Sequence, residues 1–222
     1  MLTSLAQIKS FLNIPGSDTS QDRQLSSLQY AAESVIKSRL KRNLELSTYT
    51  EFYAGNSQRA LTLRQRPVLS IASIYEDFNA FFGQKPDSFG PATLLQPGHH
   101  YALDLDTTSN LSHSGIIFRI GGVWQEIGRV YFPGKLAAEI GPTFGNLKIT
   151  YTAGYSEIPQ DLQYAVCYLI SFMRRNVEAG GSIESETIGD YEYKLFDPSA
   201  SRNNPLLSSV DQILTRYREQ AL

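Results

Sequence analysis

The spacing of apolar residues changes period twice along this chain, and that change restricts the fold more than any single motif. From Leu5 to Leu40 apolar side chains recur three and four positions apart, from Ser47 to about Thr152 they alternate, and beyond Pro159 the helical spacing returns. A period near 3.6 keeps side chains on one face of a helix, and a period of two keeps them on one face of a strand. A chain that switches between the two in this order is α+β, with strands inserted between helices.

The first helix is expected over about Ser4 to Asn13. Ser4 and Gln7 have capping-box spacing, Leu5, Ile8 and Leu12 form one stripe, and Pro15-Gly16 stops it. Thr19 and Asp22 repeat the box spacing before a longer helix with the stripe Leu25, Leu28, Ala32, Val35, Ile36 and Leu40. Lys37, Arg39, Lys41 and Arg42 crowd its end, where cations complement the helix dipole.

In the middle, Thr48–Tyr53, Ala60–Leu63, Val68–Tyr75, Tyr101–Leu105 and Leu147–Tyr151 read as strands. Ile116–Ile120, Gly121-Gly122 and Val123-Trp124 read as a hairpin. Asn79–Gly98 and Gly128–Gly145 carry Gly and Pro and read as long loops, a length often tied to function. After Pro159 a third helical stripe runs Leu162, Ala165, Val166, Leu169, Ile170 and Met173, ended by Gly180-Gly181. Ile183–Phe196 is acidic and then alternates around Tyr191, Tyr193 and Leu195, as an extended arm or hairpin would. Asn204-Pro205 opens a last helix with Leu206, Val210, Ile213, Leu214 and Tyr217 on one face.

The expected architecture is an α+β helical bundle: two N-terminal helices, one long helix after the middle and one C-terminal helix. It carries a central antiparallel β insertion, either a small sheet or barrel-like. Residues 1–46 and 156–182 supply the helical core of a single 222-residue subunit, 47–155 the β-rich insertion, and 183–222 the arm plus C-terminal helix. That terminal helix has two options, packing onto its own bundle or docking on a partner.

Composition narrows the function classes. An apolar share of 41% with 19% charged residues is that of an ordinary globular protein. Twenty basic against 22 acidic side chains leave a net charge of −2, without the basic excess that tight DNA binding requires. Thirteen Tyr and 11 Phe suit both strands and protein interfaces. Cys167 is the only cysteine, so no intrachain disulfide forms, and its apolar neighbours Ala165, Val166, Leu169 and Ile170 predict a buried, inert thiol. No basic segment leads into an apolar stretch, and no run reaches roughly 18 apolar residues. A cytoplasmic protein, or one in a particle assembled there and free of membrane, is expected.

Chemistry-bearing motifs are sparse. His99-His100 with Asp104 and Asp106 is the densest set of potential metal ligands, but neighbouring residues of a strand face opposite ways. Neither HExxH nor paired CxxC spacing supports a metal, and G-x-S-x-G, Walker and G-x-G-x-x-G patterns are absent. Glu184, Glu186, Asp190 and Glu192 lack apolar walls and read as a solvated acidic arm, or as a surface that DNA slides past. No catalytic residue, metal site or cofactor is expected.

Several phrases in order resemble the head–tail connector (adaptor, or head completion) proteins of tailed bacteriophages. They are Leu5-Ala-Gln-Ile-Lys-Ser-Phe-Leu12, Leu28-Gln-Tyr-Ala-Ala-Glu-Ser-Val-Ile36, and Leu61-Thr-Leu63 before Arg66-Pro-Val-Leu-Ser-Ile71. The most specific is Ile149-Thr-Tyr-Thr-Ala-Gly-Tyr155 followed by Ile158-Pro-Gln-Asp-Leu162. Ser185-Glu-Thr-Ile-Gly-Asp-Tyr191 and Ile213-Leu-Thr-Arg-Tyr-Arg218 complete the series.

The resemblance implies a non-enzymatic virion protein of the phage neck. It forms a homo-oligomeric ring, usually of twelve copies, beneath the portal protein and above head-closure or tail proteins. Double-stranded DNA passes through the channel with transient, non-specific contact. In such rings the C-terminal region commonly reaches the portal, which makes Tyr191, Tyr193, Ile213, Leu214, Tyr217 and Arg218 the candidate portal-docking residues. The near alternative is head closure or tail termination. From other classes come a metal-dependent hydrolase using His99, His100 or Asp104, and a DNA-binding regulator.

Overall fold

The computed structural model describes residues 1–79, 81–126, 145–178 and 205–218. The chain divides into two compact units, Met1–Glu45 with Tyr155–Leu222, and Leu46–Gly154.

The first unit is helical. Helix α1 (Leu5–Phe11) starts on the expected capping box: Ser4 Oγ accepts from the Gln7 amide at 3.2 Å, and Gln7 Oε1 accepts from the Ser4 amide at 2.9 Å. Helix α2 (Asp22–Leu40) starts differently from expectation, because its cap is Gln21, with no side-chain bond. Asp18 instead accepts from the Ser20 amide at 2.9 Å, and Asp22 pairs with the buried Lys9 at 2.5 Å. The tertiary partner has taken the carboxylate that a capping box needs. Lys41, in the left-handed region at φ 54°, ends α2 by turning its amide back to Lys37 and Ser38.

All six stripe residues of α2 are buried, as are all six of α3 (Gln160–Glu178). Leu207, Val210 and Leu214 of α4 (Pro205–Arg218) join the same core, with Leu2, Ile8 and Leu44. Each such side chain contributes about 1.5–3 kcal/mol. Buried Glu33 pins the N-terminal segment by accepting from the Leu2 amide at 2.8 Å and from Gln29 Nε2 at 3.1 Å.

The second unit holds the strands. Strand β6 (Leu147–Ala153) lies between β1 (Ser47–Tyr53) and β3 (Val68–Glu76), antiparallel to both. A second antiparallel sheet has β5 (Ile116–Arg119) between β2 (Ala60–Thr62) and β4 (Tyr101–Leu103). Of the two expectations, small sheets hold and no barrel closes among the described residues. Leu147, Ile149 and Tyr151 face the core with Ile74, Ile117 and Trp124.

Two local expectations need correction. Val123-Trp124 is not the return strand of a hairpin with β5. Trp124 exchanges backbone hydrogen bonds with the 57–58 segment (Ser57 N to Trp124 O, 2.9 Å; Trp124 N to Gln58 O, 2.8 Å), and its indole N–H donates to Ile117 O at 3.2 Å. The backbone pairing with the distant 57–58 segment displaced the local hairpin, while the buried indole N–H is satisfied by a β5 carbonyl. The strand from Tyr101 stops at Leu103, where Asp104 turns to accept from Ser114 Oγ at 2.7 Å. The 79–98 loop contains two short 3-10 turns, Pro86–Phe89 and Pro91–Thr93, and bridges back to β3 at Leu94. Of the 128–145 loop, only Gly145 lies within the described residues.

Candidate functional site

The terminal helix takes the first of its two options. Leu214 is fully buried and Ile213 and Tyr217 pack against the same helical core. Tyr217 Oη donates to Asp161 Oδ1 at 2.6 Å, and its main-chain oxygen accepts from Arg42 Nη2 at 2.9 Å. Burial and the Asp161 carboxylate both push the Tyr217 hydroxyl well above its ordinary pKa. Leu214 is thus a core residue of its own unit, and Ile213 and Tyr217 are partly buried against it. Arg218 alone of the four is exposed. Tyr191 and Tyr193 lie outside the described residues.

His99 and His100 stand in the turn before β4, with ring centroids 4.5 Å apart. His100 Nδ1 accepts from the Gln96 amide at 2.8 Å, and desolvation, His99 and Arg119 lower its pKa. Asp106 is taken up by the Thr108 and Ser109 amides. Among the described residues no three His, Cys, Asp or Glu side chains converge on one point. A cleft in the helical unit of about 360 Å³ is lined by Gln7, Gln163, Tyr164 and Cys167, with no carboxylate, histidine, lysine or arginine among its described walls. Burial pushes the Cys167 thiol up, the reverse of what a nucleophile needs.

The β unit instead carries buried polar groups that the periodicity did not indicate. Glu76, 0% exposed, pairs with Arg119 Nη2 at 3.2 Å, while Arg119 Nη1 donates to His100 O at 2.7 Å and its guanidinium lies 5.7 Å over Trp124. Burial raises the Glu76 pKa and Arg119 partly opposes it. Glu51 accepts from the hydroxyls of Tyr53 and Tyr151, which in turn accept from the Arg64 and Gln65 amides. This network ties the 63–66 turn to the sheet.

Asn146 links three segments: it accepts from the Gly55 amide at 2.8 Å, donates to Gln125 O at 3.0 Å, and its carbonyl accepts from Asp77 N at 2.8 Å. Chain positions 125 and 146 are held side by side in this way. Gly55 is required here, since a Cβ would sit 1.8 Å from Gln125 O. An asparagine directly before the alternating Leu147–Tyr151 stretch was the sequence signal for this junction.

The two edges of the β1-β6-β3 sheet differ. Strand β3 pairs with two register shifts, and its outer edge is met by Ser112 and by Leu94-Leu95. Strand β1 pairs with β6 over seven residues without a shift and contains neither Pro nor Lys. On the solvent face, Thr48 and Thr50 meet Thr152 and Thr150 hydroxyl to hydroxyl at 3.2 and 3.0 Å, with Ser70 and Ser73 beyond.

This architecture, a helical unit interrupted by a two-sheet β unit, is shared with chains of solved particle structures. The chain is similar over 98% of its length to a chain in the "Neck of native GTA particle computed with C12 symmetry" (TM-score 0.51, 18% identity, 88% of that chain covered). It is likewise similar to a chain in the "Virion of native gene transfer agent (GTA) particle" (TM-score 0.52, 18% identity, 98% and 89% covered). No protein-family model and no curated protein matches the sequence.

Proposed function

We propose that this chain is a structural subunit of the neck of a tailed-phage-like particle. It forms a homo-oligomeric ring that joins the portal to head-closure or tail proteins and lets DNA pass through its channel. The observation that carries the reading is the fold, matched from end to end to a chain in a neck with twelve-fold symmetry. Near-neutral charge suits a conduit that must release DNA, because phosphate neutralisation by Lys and Arg is what holds a duplex. Buried pairs such as Glu76–Arg119 act as scaffold, keeping the β unit rigid rather than performing chemistry.

The two-helix start and the Ile213–Arg218 ending favour the adaptor position over head closure or tail termination. Since Leu207, Val210 and Leu214 are core residues, removing α4 would damage the fold, so truncation is the wrong test of portal docking. DNA-filled heads from a particle lacking this gene provide a better one. Adding the purified full chain should restore tail joining and place a ring directly against the portal in electron micrographs. Heads that join tails equally well without it would refute the reading.

A further inference from the structure

The two edges of the larger sheet are treated unequally. A bare strand edge exposes unpaired backbone groups, and folded proteins ordinarily blunt it with bulges, Pro, Lys or a covering segment. Strand β3 has two register shifts and covering segments. Strand β1 has no register shift, and the Arg64 side chain at Phe52 O is what meets its outer edge among the described residues.

The direction of the β1 backbone groups follows from the ladder. Asp77 N bonds Asn146 O and Gly154 N bonds Pro67 O, so the even-numbered positions of β6 point their backbone groups toward β3. The odd-numbered positions then face β1, where Leu147, Ile149 and Tyr151 oppose Tyr53, Glu51 and Tyr49. Thr48, Thr50 and Phe52 must turn their amides and carbonyls away from the sheet. Consistent with this, Phe52 O accepts from the exposed Arg64 guanidinium at 3.1 Å. All three residues are exposed, Phe52 at 37%. Glu51 is the one charge on the strand, and it points inward to the Tyr53 and Tyr151 hydroxyls, away from an incoming strand.

We propose that the outer edge of β1, at Thr48, Thr50 and Phe52, is a strand-addition site filled by an extended segment of a second copy of this chain. The inference rests on the ring reading above. In a twelve-fold neck the lateral neighbours of a subunit are copies of itself. Pairing β1 with β1 would close a two-fold dimer and could not propagate around a ring, so the added segment comes from a different surface of the next copy. The closed edge at β3 makes that surface lie outside the sheet. Main-chain hydrogen bonds supply the affinity, and beside Thr48 and Thr50 the face carries hydroxyls, the nearest charge on it being Lys148 opposite Phe52.

The test uses the full chain, alone and on DNA-filled heads. Assembly should slow hydrogen exchange at the Thr48 and Thr50 amides. Thr50→Pro removes an outward amide where a sheet tolerates proline, so it should fold with a near-native melt yet self-associate at least about tenfold more weakly. If Thr50→Pro fails to fold, Thr48→Lys/Thr50→Lys, which leaves the backbone intact, should give the same loss. Rings that form with both amides still exchanging freely, or equally well from a folded variant, would overturn the edge assignment and leave the ring reading standing. Protection induced only by a different neck protein would overturn the second copy as occupant. A chain that never multimerises would overturn the ring reading, and this inference with it.

Discussion

Leu214→Ala asks whether the terminal helix is part of the fold or an appendage waiting for a partner. Leu214 is 0% exposed within the helical core, alongside Leu207 and Val210 from its own helix. Truncation removes three carbons, worth about 0.8 kcal/mol each in transfer alone, and a fully enclosed site adds a cavity term. About 3 kcal/mol is expected, within the roughly 2–5 kcal/mol range of such substitutions. Urea unfolding followed by far-ultraviolet circular dichroism reads the helices. The only tryptophan, Trp124, reports the β unit separately through its fluorescence. Gln212→Ala, on the exposed side of the same helix, is the control and should move stability by no more than about 0.5 kcal/mol. If Leu214→Ala shifts the dichroism midpoint no more than Gln212→Ala does, α4 is not a core element, and the assignment of Ile213, Leu214 and Tyr217 to their own unit fails.

Two further perturbations probe the charged groups. Arg119→Ala strands the buried Glu76 carboxylate and should cost about 3–5 kcal/mol at neutral pH by Trp124 fluorescence. Because burial already raises the Glu76 pKa, the deficit should shrink as pH falls and the carboxyl protonates; a deficit independent of pH would show that the charge pair is not its source. Glu45, at the end of the first helical segment, is pushed up by burial, but Lys37 and the N-terminal ammonium outweigh this and hold it at about 2 against an ordinary 4.5. A depressed carboxylate stabilises fully above its unfolded pKa and loses that contribution as pH falls from 4.5 toward 2. Glu45→Gln should flatten the acid limb of the stability curve in that window, by less than about 1 kcal/mol for so partly exposed a pair. An unchanged acid limb would remove Glu45 from the account.

The helical stripes of α2 and α3 were legible in the sequence residue for residue, and so was the Ser4–Gln7 capping box. Each depends on side chains within one or two turns, so local spacing carries the whole signal. The start of α2 was misread, because Lys9, a residue on another helix, claims Asp22. Trp124 was misread for a similar reason, its partners being Gln58 and Ile117 rather than the adjacent turn.

What the sequence by itself determined is the type and order of elements, since hydrophobic period is a property of neighbouring residues. The tertiary structure alone decided which strand is central, and that α4 spends Leu214 inside its own bundle. It alone set Glu76 against Arg119 and, among the described residues, gave β3 register shifts and covering segments that β1 lacks. Those outcomes depend on pairings between residues tens of positions apart, where burial energy and hydrogen-bond satisfaction, rather than local spacing, choose the partner.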